Sequence, residues 1–139
     1  MSKKLLFGIG LLLVLAGLGI AYTMYNKPHE NIRKASASHH LQATELMAAY
    51  EADELDANDD YLGKIIEVSG TVSDAATDAN GLTTVTLASG NPIGGIVCEL
   101  DIHTSHPRKS FSPGESVTMK GKCTGYLMDV VLVRCVEIQ

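Results

Sequence analysis

The sequence predicts a small, closed all-β barrel, because short runs of β-branched residues alternate with turn residues and carry glycines within them. The run IIEVSGTV, from Ile65 to Val72, contains Gly70, and the run VTMKGKCTG, from Val117 to Gly125, contains Gly121. A glycine inside a strand marks a bend, a bulge or a close approach of another segment. Bent strands favour closure into a barrel, which also removes exposed sheet edges.

An apolar segment near the N-terminus predicts a membrane anchor. The stretch from Leu5 to Tyr25 contains no charged residue, and as a helix it would span roughly 30 Å, the thickness of a bilayer core. Lys3 and Lys4 precede it and favour a cytoplasmic N-terminus. A cleaved signal peptide is the alternative, since Gly19–Ala21 resembles a cleavage site. Both interpretations place the rest of the chain outside the cytoplasm.

The chain is predicted to have three parts: an anchor over residues 1–25, a polar linker over residues 26–40 and a folded domain over residues 41–139. The part from Leu41 onward carries six lysines and arginines against fifteen aspartates and glutamates, a net charge of −9. A domain this acidic repels a phosphate backbone unless its few cations cluster.

One amphipathic helix is predicted over His39–Asn58, ahead of the barrel. Leu46, Met47 and Tyr50 recur at helical spacing, so they would cover one face of the barrel. Thr44 is the expected N-cap.

The barrel strands are predicted from alternating apolar runs bounded by glycine-rich turns. After Ile65–Val72 they are Leu82–Leu87, Ile96–Leu100, Ser116–Tyr126 and Asp129–Ile138. A long connection between the third and fourth strands completes the plan of an OB-fold. The predicted fold is therefore all-β: a five-stranded OB-fold barrel preceded by one amphipathic helix and an N-terminal transmembrane helix.

The segments YLGKIIEVSGTV and GKCTGYLMDVVLVRC carry a family resemblance. From about Thr44 to Ile138 the chain resembles the tRNA-anticodon-binding-like OB-fold family of bacterial envelope proteins, many of which are membrane proteins or lipoproteins. The resemblance implies a fold much more than an activity. With the apolar segment, it implies a single-pass protein of the bacterial inner membrane whose C-terminal domain lies in the periplasm. Because the first cysteine is Cys98, this chain has no cysteine for lipidation after its apolar segment.

The same resemblance implies a disulfide between Cys123 and Cys135, which recur together on the last hairpin of the family. An oxidised pair is expected outside the cytoplasm. A two-residue turn at Leu127–Met128 would place Leu132 opposite Cys123, so either a bulge shifts the register or Cys98 is the partner of Cys135.

No constellation in the sequence predicts catalysis, a metal or a cofactor. His103 and His106 are too few to form a metal site, and no phosphate-binding glycine loop or nucleophile–base pattern is present. The chain is therefore predicted not to be an enzyme.

Ligands of OB-folds bind to the second and third strands and the adjoining loops. The candidate ligand-binding residues are Thr84, Thr86, Asn91, Lys120, Lys122 and Tyr126. Cations and stacking aromatics are scarce among them, so single-stranded nucleic acid is the disfavoured alternative. The predicted function is a non-catalytic binding module for an envelope protein, a peptide or a glycan.

Overall fold

The computed structural model describes residues 2–26 and 30–139. The chain forms two separate compact units, Met1–Glu30 and Asn31–Gln139. The second unit is called the barrel domain below. Residues 27–29 of the predicted linker lie outside the described residues.

The first unit contains one helix, α1, over Lys3–Tyr25. Its mean hydropathy reaches 2.4 over 18 residues, and none of that stretch is buried in protein. These properties are those of a membrane anchor or a signal sequence. The predicted helical character of the apolar segment is confirmed.

Six strands form one sheet in the described part of the barrel domain. They are β1 (His39–Gln42), β2 (Ile65–Thr77), β3 (Thr83–Ala88), β4 (Gly95–Leu100), β5 (Ser116–Leu127) and β6 (Asp129–Ile138). The order is β1-β2-β3-β4-β6-β5, and a further β2–β5 pairing closes the barrel. The five-stranded OB-fold plan is confirmed, including its parallel pair, β4 with β6. Strand β1, parallel to β2, is an addition that the sequence did not predict.

The two strand glycines mark close approaches, as predicted. A Cβ atom at Gly70 would lie 2.9 Å from the Cβ of Ala43, and one at Gly121 would overlap the Cys135 sulfur. Gly70 also stands near the middle of β2, where pairing passes from β5 to β3. Glycine therefore lets β2 bend beneath a helix and lets β5 pass over a core cysteine.

The predicted helix over His39–Asn58 is wrong in extent, because it is three elements. After β1 come α2 (Ala43–Ala52) and α3 (Glu54–Tyr61). The N-cap of α2 is Gln42 rather than Thr44, in a capping box completed by Glu45. Asp53 is extended and accepts hydrogen bonds from the first backbone amides of α3, so it ends one helix and starts the next.

The inner face of α2 packs on the barrel as predicted. Leu46, Met47 and Tyr50 are each no more than 2% exposed, and they join a core lined by the inward residues of all five barrel strands. Burying side chains of this size stabilises the fold by about 1.5–3 kcal/mol each.

Residues 31–38 pack on the strands of the barrel, whereas a solvated linker was predicted for this segment. Ile32 is completely buried. The backbone amide of Ser38 donates to the Ile65 carbonyl over 2.8 Å. This segment leads directly into β1 and belongs to the folded unit.

Candidate ligand-binding surfaces of the barrel

The outer face of β3 and β4 is polar and almost uncharged. Thr84 lies opposite Glu99, and Thr86 lies opposite Val97. All four side chains are half-buried, while their neighbours along each strand point into the core. This face therefore offers hydroxyl groups and one carboxylate, without a cation or an aromatic ring.

The turn between β3 and β4 is held by Asn91. Its side-chain oxygen accepts from the backbone amide of Ile93 over 2.8 Å, and its side-chain nitrogen donates to Glu51 on α2. Asn91 and Thr86 line one open cavity of about 430 Å³, together with Ser73 and Asp129. The structure brings these two predicted residues together, but the amide of Asn91 already serves the turn.

Lys120 is not available to a ligand, which corrects its prediction as a ligand-binding residue. It is 9% exposed, and its Nζ donates to the carbonyls of Arg33 and Ala35, each over 3.0 Å. Lys122 is exposed, and Lys64 donates to the Asp59 carbonyl. Of the two lysines predicted to bind a ligand, Lys122 is thus the one that stays accessible.

Tyr126 belongs to a packed aromatic cluster. Its ring stacks on the buried ring of Tyr50 with centroids 5.5 Å apart, and Tyr50 also lies 6.2 Å from Tyr61. The Tyr50 hydroxyl contacts the Cys123 sulfur at 3.4 Å. Burial raises the pKa of Tyr50 above its usual range, and the hydrogen bond with the Cys123 thiol raises it further. The Tyr50 hydroxyl therefore stays neutral. Tyr126 is half-buried and is not a free stacking platform.

The predicted Cys123–Cys135 disulfide is not formed in this structure, where all three cysteines are buried free thiols. Cys123 lies opposite Leu132, because β5 gains a residue between Cys123 and Gly125. The side chain of Cys135 contacts that of Cys98. Burial is the main cause that raises the pKa of the Cys135 thiol, and the contact with Cys98 raises it further. The register therefore separates the two cysteines of the hairpin and brings Cys135 to β4.

His103 and His106 help to shape the connection between β4 and β5. The Nε2 atom of His106 lies 2.7 Å from the Asp101 carbonyl oxygen. The buried Asp101 carboxylate accepts from the Thr104 hydroxyl and the His103 amide. Burial would raise the pKa of Asp101, but these hydrogen bonds and Arg134 outweigh it and lower the pKa. Among residues 2–26 and 30–139, no three histidine, cysteine, aspartate or glutamate side chains are placed to hold a metal ion.

The sequence analysis missed an apolar tip, which consists of Ile93, Leu127 and Met128. These side chains are 78%, 88% and 63% exposed, and they lie on the turns between β3 and β4 and between β5 and β6. The sequence contained a signal for this tip, namely large apolar residues in turns that usually carry small or polar residues. Large apolar residues at such positions indicate contact with a partner.

Comparison with known proteins places this geometry in a family. The family model tRNA_anti-like matches residues 1–137, and the chain belongs to that family. None of the curated proteins searched matches the chain.

A solved structure supports the fold. It is the crystal structure of a lipoprotein from Klebsiella pneumoniae subsp. pneumoniae MGH 78578 that has been proposed to bind nucleic acid. It is similar to this chain with a TM-score of 0.58 and 19% sequence identity, over 73% of this chain and 93% of the other. At this identity the likeness establishes the OB-fold alone.

Proposed function

We propose that the chain is a non-catalytic binding module, anchored by α1 in the bacterial inner membrane with its barrel domain in the periplasm. Its ligand is an envelope polypeptide or a glycan. The observation that carries this proposal is the outer face of β3 and β4, where OB-folds bind their ligands. Thr84, Thr86 and Glu99 suit hydrogen bonding to peptide or sugar groups, and the face lacks the cations that phosphates require.

Two basic side chains are already paired within the domain, which supports the same proposal. Lys120 donates two hydrogen bonds inside the domain, while Arg108 is paired with Glu115 and Glu137. On the outer face of β3 and β4, ligand recognition therefore falls to hydroxyl groups, one carboxylate and apolar contacts.

Site-specific photo-crosslinking in cells tests the proposal. The full chain carries p-benzoylphenylalanine at Thr86, and a matched chain carries it at Ser116, an exposed position on β5. We expect a protease- or glycosidase-sensitive adduct from position 86 and none from position 116. Equal adducts from both positions, or nuclease-sensitive adducts alone, would contradict the proposal.

Single-stranded nucleic acid is the second candidate, favoured by the description of the similar Klebsiella lipoprotein. We expect the full chain to retain no oligonucleotide at about 0.15 M salt, where few phosphate contacts leave little affinity. Micromolar binding at that salt, abolished by Lys122→Glu, would promote this candidate.

A further inference from the structure

The two turns that carry the apolar tip are tied to each other by contacts within the fold. The Asp129 carboxylate accepts from the Gly95 amide over 2.7 Å, which ties the two turns together. Gly94 lies so close to the Met128 carbonyl that a Cβ would overlap it. Met128 itself adopts a positive φ of 68°, which costs energy in a residue other than glycine. The exposure of Ile93, Leu127 and Met128 is thus fixed by the backbone around them.

Exposure of this kind is concentrated at the tip. Outside α1, the exposed large apolar side chains of the described chain are Leu55, Leu62, Ile102 and the three of the tip. Leu62 lies towards the same end, since it borders Gly125 on β5. Apolar surface that is preorganised and grouped marks an interaction site.

The two helices beside the tip carry acidic side chains and no lysine or arginine. Helix α2 adjoins it, because the Met47 methyl group approaches Gly94 and Glu51 accepts from Asn91. Residues 43–61, which form α2 and α3, contain seven acidic residues and no lysine or arginine. All seven acidic side chains are exposed: Glu45, Glu51, Asp53, Glu54, Asp56, Asp59 and Asp60.

We infer that the apolar tip and the acidic helices together bind a cationic amphipathic segment of a partner polypeptide. Its apolar side chains cover Ile93, Leu127 and Met128, and its lysines or arginines face α2 and α3. A second copy of this chain would bring like charges together, and anionic lipid or nucleic acid would be repelled. This inference rests on the proposed function, because it names the class of polypeptide that the module binds.

Binding of a synthetic peptide to the full chain in zwitterionic nanodiscs tests the inference, with the signal of empty nanodiscs subtracted. The probe has leucines at i, i+3, i+4 and i+7 and lysines elsewhere, and its counterpart has glutamates in place of the lysines. We expect the lysine peptide to bind with an affinity that falls as salt rises, and the glutamate peptide not to bind.

The triple variant Ile93→Ser, Leu127→Ser, Met128→Ser should weaken binding of the lysine peptide by about tenfold or more. The matched control is Ile102→Ser, since Ile102 is 67% exposed on the connection between β4 and β5. Equal binding by the triple variant, equal loss in the control, or binding of the glutamate peptide would overturn the inference. If these results occur while position 86 still crosslinks to a polypeptide, the proposed function stands and the tip is not its site.

Discussion

The β3–β4 pair is a regular ladder, whereas the β5–β6 hairpin beside it is bulged twice. From Thr84 to Ala88 the register of β3 against β4 is continuous. Along β5 it shifts between Lys120 and Lys122 and again between Cys123 and Gly125. A bulge inserts a residue and changes which face the following side chains take. Counting alternate residues therefore locates side chains on β3 and β4, but it fails on β6, where the core residues pass from Val130 and Leu132 to Cys135.

The first bulge has a visible cause on the opposite strand. Arg134 adopts a positive φ of 55° and is the residue by which β6 gains length over β5. Its guanidinium lies 3.7 Å from the buried Asp101 carboxylate, and the next residue, Cys135, fills the space over Gly121. The pairing of the β5–β6 hairpin is thus irregular at Arg134, and the contact between Arg134 and Asp101 attaches the β4–β5 connection to the barrel.

The largest expected effect comes from removing the space that the bulge requires. In Gly121→Val the new side chain would overlap the Cys135 sulfur and the nearby Val133 carbonyl, so we expect a loss of about 3 kcal/mol or more in the free energy of unfolding. Urea denaturation measures the free energy of unfolding. The control Thr84→Val, on the regular β3–β4 ladder, should change this free energy by no more than about 0.5 kcal/mol. A tolerated Gly121→Val would show that the bulge is adaptable.

The two lysines of the bulged strand allow a matched test. Lys120→Met removes two hydrogen bonds from an ammonium group, so we expect a loss of about 2 kcal/mol and faster amide exchange at Ser38. Lys122→Met should leave both quantities nearly unchanged, because Lys122 is exposed. Equal losses in the two variants would mean that the hydrogen bonds from Lys120 to Arg33 and Ala35 do not stabilise the fold.

These residues also show how far the sequence predicts the molecule. The β6 boundaries were predicted correctly, because DVVLVRCVEI is rich in β-branched residues and follows the turn at Leu127–Met128. Strand β1 was missed, since HHLQ has no strand pattern of its own and forms by pairing with β2. Thr84 and Thr86 lie on an outer face, whereas Lys120 is buried. Its burial depends on the segment that carries the Arg33 and Ala35 carbonyls, which is far away in sequence.

A smaller, pH-dependent effect is expected at Asp101, where the bulge meets the β4–β5 connection. Its pKa is lower in the folded chain than in the unfolded chain, so ionised Asp101 stabilises the fold above about pH 4. This contribution is lost as the pH falls through the folded pKa. Asp101→Asn should therefore cost about 1–3 kcal/mol at pH 7 and progressively less at lower pH. Denaturation curves with a constant difference at pH 7 and pH 2 would contradict this assignment.

The smallest effect is expected from replacing Cys123 when the three thiols are oxidised, because the disulfide that forms should not involve Cys123. Oxidised glutathione can accept the two electrons and two protons released when two thiols join, becoming two molecules of reduced glutathione. Because the side chain of Cys135 contacts that of Cys98 while Cys123 faces Tyr50, we expect a Cys98–Cys135 bond under partial denaturation. Peptide mapping without reduction should find this bond unchanged in Cys123→Ser and absent in Cys98→Ser. A Cys123–Cys135 bond would instead restore the pairing that the family resemblance implies, and it would require β5 and β6 to shift by three residues, because Leu132 stands opposite Cys123.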